Sequence, residues 1–351
     1  MTNSEHLVTA TAVDVTQLTA EEMREPIPED DSFFHHQRSD DPWWNEAAIF
    51  GFMIPERKIN GFFYMWHRPN MKLTSAGVGV WDDKGEERHN CLHYDWYNFN
   101  PMVEGSDMFD YELANGMTMK LLKPLYGYQL QYSSKPCAID LVWEGVFAPH
   151  TLAYTRHRGV EQFGSYHYEQ IGRVTGTVRL GDEVLAVDCH HFRDRSWGVR
   201  PRRRNHAGGG LDIGYASEKT AFCMTMMRPQ PAAPLVPMIP DVPGYGQMIK
   251  DGRQTTVVVA ERRVTERRSD GAPLVIEIDL ADAEGREMSA IGRTHNVLKY
   301  DDLWYVHWCL TRWTINGEEA WGESQDWIDQ DCVRTYQRHQ LISGTRSSET
   351  R

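Results

Sequence analysis

The chain has 351 residues and carries 50 acidic against 37 basic side chains, a formal net charge of -13. That excess argues against a general binder of nucleic acid or of anionic membranes, which are held through cationic surfaces. No basic and apolar leader opens the sequence, and no apolar run approaches the roughly 18 residues that cross a bilayer. The reading is therefore a soluble, cytoplasmic protein with no membrane span and no nucleic-acid partner.

Residues 1–30 are polar, rich in Thr and Glu, and end in Pro26, Pro28 and an acidic run, the composition of a disordered or loosely docked arm. Order is expected from about Phe33. The segment from Pro42 through Trp43 and Trp44 to Phe52 reads equally well as a short helix or as an aromatic plug.

From about Gly61 a two-residue period dominates. Tyr128-Gln129-Leu130-Gln131-Tyr132 alternates cleanly, and so do Ile139, Leu141, Trp143 and Phe147 among their neighbours, which is the pattern of half-buried strands. Turn signals punctuate these runs. Asn115-Gly116 and Asn316-Gly317 suit type I′ hairpin turns, because both central residues must take positive φ. Gly181-Asp182 turns the run Val174 to Leu180 back into Glu183 to Phe192, and Ala283-Glu284-Gly285 does the same for a later pair. No comparable series of helical patterns exists, so the fold class is all-β and antiparallel, a sandwich or barrels, with few short helices. The break between two β domains is expected between His150 and Gly172, giving domains of 31–165 and 166–345. The Pro-rich span Arg228 to Pro243 reads as a long loop of the second domain, a place where lids are found.

The 12 Trp, 15 Tyr and 12 Phe are enough either to fill a β core or to line a cavity for an apolar ligand. Chemistry concentrates in His190-His191-Phe192-Arg193-Asp194-Arg195-Ser196-Trp197. Strand parity places His191 with Leu185, Val187 and Cys189 on the more apolar face, which makes it a candidate acid or base pointing into a cavity. Asp194 has two readings. It pairs with a neighbouring arginine or accepts backbone N–H bonds and fixes the bend, or it sits in an apolar pocket against Trp197, where desolvation lifts its pKa for proton transfer. Arg195 stays protonated and so suits a substrate oxygen or an oxyanion.

In Trp304 to Trp313, one face carries Trp304, Val306, Trp308 and Leu310, and the other carries Tyr305, His307, Cys309 and Trp313. The first is expected in the core. The second is expected to line a pocket, with His307 as a catalytic candidate and Tyr305 and Trp313 as binding residues. The six cysteines form no Cys-x-x-Cys pair, and His89, His93 and Asp95 lack a marked third ligand, so no metal is expected.

Arg193 to Arg200, preceded by Tyr168-Glu169-Gln170 and Gly176, resembles the Asp-His-x-Trp-Gly signature of hydroxyneurosporene synthase (carotenoid 1,2-hydratase) and AttH-like proteins, with uncharacterised bacterial members the most similar. The resemblance implies two lipocalin-like β domains in tandem around a hydrophobic cavity, and a cofactor-independent lyase or isomerase. The family reaction adds water to an isolated alkene: a carboxyl protonates the double bond, aromatics steady the cation, and water is captured. Asp194 and Trp197 match the signature's Asp and Trp. Arg195 stands where the signature has His, and a permanent cation there favours an anionic substrate group or intermediate. The expected partner is a hydrophobic terpenoid, steroid or aromatic substrate. A carrier of apolar ligands is the alternative, and a homodimer is left open.

Overall fold

In the computed structural model the described residues are 27–151, 166–200, 208–228, 242–301, 304–330, 333–334 and 338. They form two antiparallel sheets. The first contains β1 (Trp44–Ile54), β2 (Ile59–Arg68), β3 (Leu73–Trp81), β4 (His93–Pro101), β5 (Asp110–Glu112), β6 (Met117–Lys123), β7 (Gly127–Ser133), β8 (Cys137–Gly145), β9 (His150–Thr151), β10 (Tyr166–Leu180) and β11 (Glu183–Val199). Its order is β4-β3-β2-β1-β11-β10-β8-β7-β6-β5, with β9 added on β10. The second contains β12 (Gly208–Ser217), β13 (Thr220–Arg228), β14 (Val242–Lys250), β15 (Arg253–Arg267), β16 (Pro273–Asp282), β17 (Glu287–Thr294), β18 (Leu298–Asp301), β19 (Tyr305–Ile315) and β20 (Glu318–Ile328). Pairing of β17 with β19 closes this sheet into a barrel of eight strands, with β18 appended to β19.

The all-β expectation holds, as do the hairpins, although at Asn115-Gly116 only Gly116 takes positive φ, at 86°, so the turn there is not type I′. Asn316 and Gly317 take φ of 48° and 89° between the paired ends Ile315 and Glu318, and Gly181 takes φ of 60° between Leu180 and Glu183. Two expectations need correction. The segment around Trp44 to Phe52 is neither helix nor plug but the central strand β1, buried along its whole length. The division between sheets falls after Val199, not near residue 165, because β10 and β11 are one long hairpin of the first sheet. A break at 165/166 would separate the β10–β11 hairpin from the sheet to which it belongs. The Pro-rich span lies mostly outside the described residues.

Burial on both faces explains the continuous apolar run of β1. Ala48, Phe50 and Phe52 join the core inside the first sheet with Phe63, Met65, Tyr128 and Trp143. Ile49 points the other way, into a second core shared with the outer wall of the barrel, where Leu211, Ile213, Leu298, Val306 and Trp308 lie. The barrel's interior is a third core around Phe222, Met224, Ile276, Ile278 and Trp313. The layers are therefore sheet, interface and barrel, and the interface holds the site.

Candidate functional site

Between the first sheet and the outer wall of the barrel lies a cavity of about 120 Å³. Its first wall is polar, with His167, Glu169, Asp194, Ser196 and Arg200 beside Ile49, Tyr64 and Phe192. Its second wall comes from the barrel and is largely aromatic: Tyr300, Trp304, Trp308 and Trp327, with Val306, Thr225 and Gln325.

Hairpin register assembles the polar wall. Glu169 on β10 faces Asp194 on β11, and His167 faces Ser196, so all four share one surface of the sheet. Two carboxyls placed directly across a ladder repel each other when both are charged. Their surroundings separate them. The Asp194 carboxyl is pushed up to about 6 by burial, with the nearby Glu169 charge adding to the shift and His167, the Ile49 N–H and Arg200 opposing it. It accepts the Ile49 backbone N–H at 2.7 Å. Burial would raise Glu169 too, but its partners outweigh burial and hold it below the ordinary carboxylate value. Thr225 Oγ1 donates to it at 2.7 Å, Cys223 Sγ donates at 3.0 Å, and His167 Nε2 lies 3.6 Å away. The result is one carboxyl poised to carry a proton beside one that keeps its charge.

Asp194 accepts a backbone N–H and at the same time lines the cavity from its polar wall. Trp197 is not its neighbour in that cavity. Trp197 projects from the opposite face of β11, stacked on His35 at 4.2 Å and Tyr166 at 4.1 Å. Arg195 also lies off the cavity. Its guanidinium pairs with Glu46 at 2.5 Å and donates to the carbonyls of Phe33, Ser196 and Asp31. The reason is parity: Arg193, Arg195 and Trp197 share the face away from Asp194. Burial would raise the Glu46 carboxyl, but Arg195 leads the interactions that hold it at about 2.

His191 is fully buried but does not line the cavity. The pairing of β1 with β11 ends at Phe50–Arg193, and the imidazole fits where the two strands part, so close to Gly51 that a Cβ there would fall 2.1 Å from the ring. Its Nε2 lies 3.4 Å from Glu323 of β20.

The β19 expectation is reversed. Trp304, Val306 and Trp308 line the cavity, while His307 lies at 1% exposure on the other face and Trp313 packs in the barrel core against Phe222. Burial drives the His307 imidazole down to about 4 and the half-buried Tyr305 phenol up to about 12. Alternation separates two faces but does not say which is covered by the other sheet, and here both are covered. His167, Glu169, Tyr64, Trp308 and Gln325 were not among the expected site residues. The signal for the first two was the Gly181 turn: counting back from it sets Glu169 opposite Asp194.

Among the described residues no cluster of three His, Cys, Asp or Glu could hold a metal ion, and no helix is long and apolar enough to cross a membrane.

A family model described as "Domain of unknown function (DUF7064)" matches residues 28–330. No curated protein matches the chain. A solved structure of a putative AttH (NE1406) from Nitrosomonas europaea is similar, with a TM-score of 0.58 at 12% identity over 86% of this chain and 98% of its own. CghA follows with a TM-score of 0.53 at 9% identity, covering 82% and 88%. Kievitone hydratase from Nectria haematococca has a TM-score of 0.47 at 10% identity, covering 88% and 97%. For the putative AttH and CghA, at these identities, the likeness is one of fold.

Proposed function

The chain belongs to the DUF7064 family, and we propose that it is a lyase or isomerase that hydrates, dehydrates or rearranges a hydrophobic terpenoid, steroid or aromatic substrate by proton transfer from Asp194. One observation carries the reading: a carboxyl raised to about 6 faces a cavity whose opposite wall is largely aromatic. The fold shared with the AttH-like protein agrees with the resemblance carried by residues 193–200.

In the hydration direction, the Asp194 hydroxyl gives its proton to one alkene carbon, whose π electrons form the new C–H bond. The adjacent carbon becomes cationic, facing the rings of Trp304, Trp308 and Trp327, and π faces stabilise such charge. Water attacks that carbon and loses a proton to His167, which sits diagonal to Asp194 on the same surface and is steadied as imidazolium by Glu169. Return of the proton from His167 to Asp194 closes the cycle. Dehydration runs the same steps backward, and rearrangement omits the water. Every step uses side chains and water.

The test is product analysis with panels of unsaturated terpenoids, steroids and phenolics. Asp194→Asn is expected to fold and bind while turnover falls by about 10²–10⁴, and kcat/KM of the parent is expected to decline as pH rises past about 6. Full turnover by a folded Asp194→Asn would overturn the assignment. Ligand retained in native mass spectrometry but never converted, across the whole panel, would favour a carrier.

A further inference from the structure

Behind the cavity's aromatic wall runs a polar chain that ends on one of the wall's rings. Glu323, Gln325 and Trp327 alternate along one face of β20, and only the last two reach the cavity. The indole Nε1 of Trp327 donates to Gln325 Oε1 at 2.9 Å, and Gln325 Nε2 donates to Glu323 Oε1 at 2.8 Å. The other Glu323 oxygen accepts from Asn60 Nδ2 of the first sheet at 3.4 Å, and His191 Nε2 lies 3.4 Å from it without a hydrogen bond. Glu323, His191 and Asn60 are each fully buried.

A primary amide has one acceptor end and one donor end, so the partner of one end decides what the other can do. Glu323 is a carboxylate and can only accept when charged. It therefore fixes the Gln325 amide with its nitrogen inward and its oxygen toward Trp327. Reversing that amide would set two acceptors against each other at one end and two donors at the other, each left unsatisfied among buried groups.

We propose that Glu323, docked across the sheet interface by His191 and Asn60, is a positioning residue that sets the Trp327 indole plane in the cavity wall through Gln325. This rests on the cavity being the site of chemistry. It adds that the aromatic wall is held by a residue touching no substrate, and it gives the buried His191 its role.

The experiment reads solvent exchange of the tryptophan indole N–H groups in the full-length ¹⁵N-labelled protein, with the Trp327 signal assigned from Trp327→Phe. The Trp44 indole, which donates to Glu46 at the far end of the first sheet, is the internal control. Glu323→Leu is expected to speed exchange at Trp327 by about tenfold or more while Trp44 is unchanged. Glu323→Gln, whose amide oxygen can still accept from Gln325, is expected to stay within about twofold of the parent. An unmoved Trp327 in Glu323→Leu overturns the proposal, and so does loss of protection at both indoles in both variants. Should Glu323→Leu not fold, Gln325→Met breaks the same link from its other end: faster exchange at Trp327 alone supports the proposal, and no change overturns it. The measurement needs no turnover, so a failure of the Asp194 assignment would leave it intact.

Discussion

The two faces of β11 use similar residues to opposite ends. On one face Arg193, Arg195 and Trp197 are engaged by partners within the first sheet and its leading segment. Arg193 donates to Gln170, Tyr168 and the Leu125 carbonyl and lies over the rings of Tyr128, Trp143 and Tyr168. Arg195 is paired with Glu46 and tied to the carbonyls of Asp31 and Phe33, so the segment around the first described turn closes that end of the sheet. On the other face Phe192, Asp194 and Ser196 border a cavity, and Asp194 is a carboxyl whose pKa burial has lifted. Charge that is fully paired stabilises the strand, while charge kept from full pairing remains available for chemistry. The positions that most resemble a family signature, Asp194 and Trp197, fall one on each face.

Arg195→Met should have the largest effect. It would leave Glu46, at 0% exposure, as a buried carboxylate without its cation, at a cost of about 3–5 kcal/mol. The double variant Glu46→Met/Arg195→Met should recover much of that loss, because it removes both charges and keeps volume. Urea denaturation of the two variants reads the difference. A loss under about 1 kcal/mol for Arg195→Met would mean that this face is not the structural one.

Asp194→Asn should act in the opposite direction and depend on pH. The carboxyl's folded pKa, raised from 3.8 to about 6, means that the folded state holds the proton more tightly than the unfolded chain. Parent stability from this group is therefore fully present below about pH 4 and lost as pH rises through about 6, by at most roughly 3 kcal/mol. Asparagine cannot ionise and can still accept the Ile49 N–H. The variant should match the parent near pH 4 and exceed it at pH 7, a gain that thermal unfolding at the two pH values would detect. A variant that loses stability at pH 7 would place Asp194 among the paired charges and erase the contrast between the faces.

How much of this was legible in the sequence follows from what alternation can and cannot encode. The two-residue period and the Gly181 and Asn316 turns identify antiparallel hairpins, and they do so because positive φ and strand pleating are local properties. Parity on β11 correctly separates His190 from His191 and Arg193 from Asp194. It does not reveal which face meets the barrel, since that depends on residues from β12, β19 and β20 far along the chain. The same limit reversed the two faces of β19. Glu169 was reachable, because an unbroken ladder from the Gly181 turn brings it opposite Asp194. Ending the strand at Val174 hid it. Glu323 carried no local signal at all, being one acidic residue in an alternating strand whose partners come from β2 and β11.

Ser196 is where the two faces meet within one residue, and it gives the smallest and sharpest test. Its backbone carbonyl accepts Arg195 Nη1 at 2.8 Å on the paired side, while its side chain borders the cavity. Ser196→Ala keeps the carbonyl and removes only the hydroxyl. If the paired face holds the strand and the cavity face contributes little to folding, the unfolding free energy should shift by no more than about 0.5 kcal/mol. Urea midpoints measured alongside Arg195→Met would place the two variants at opposite ends of one scale. A cost above about 2 kcal/mol would instead make the cavity face part of the structural framework, because a loss that large requires a buried hydrogen bond that leaves its partner unsatisfied.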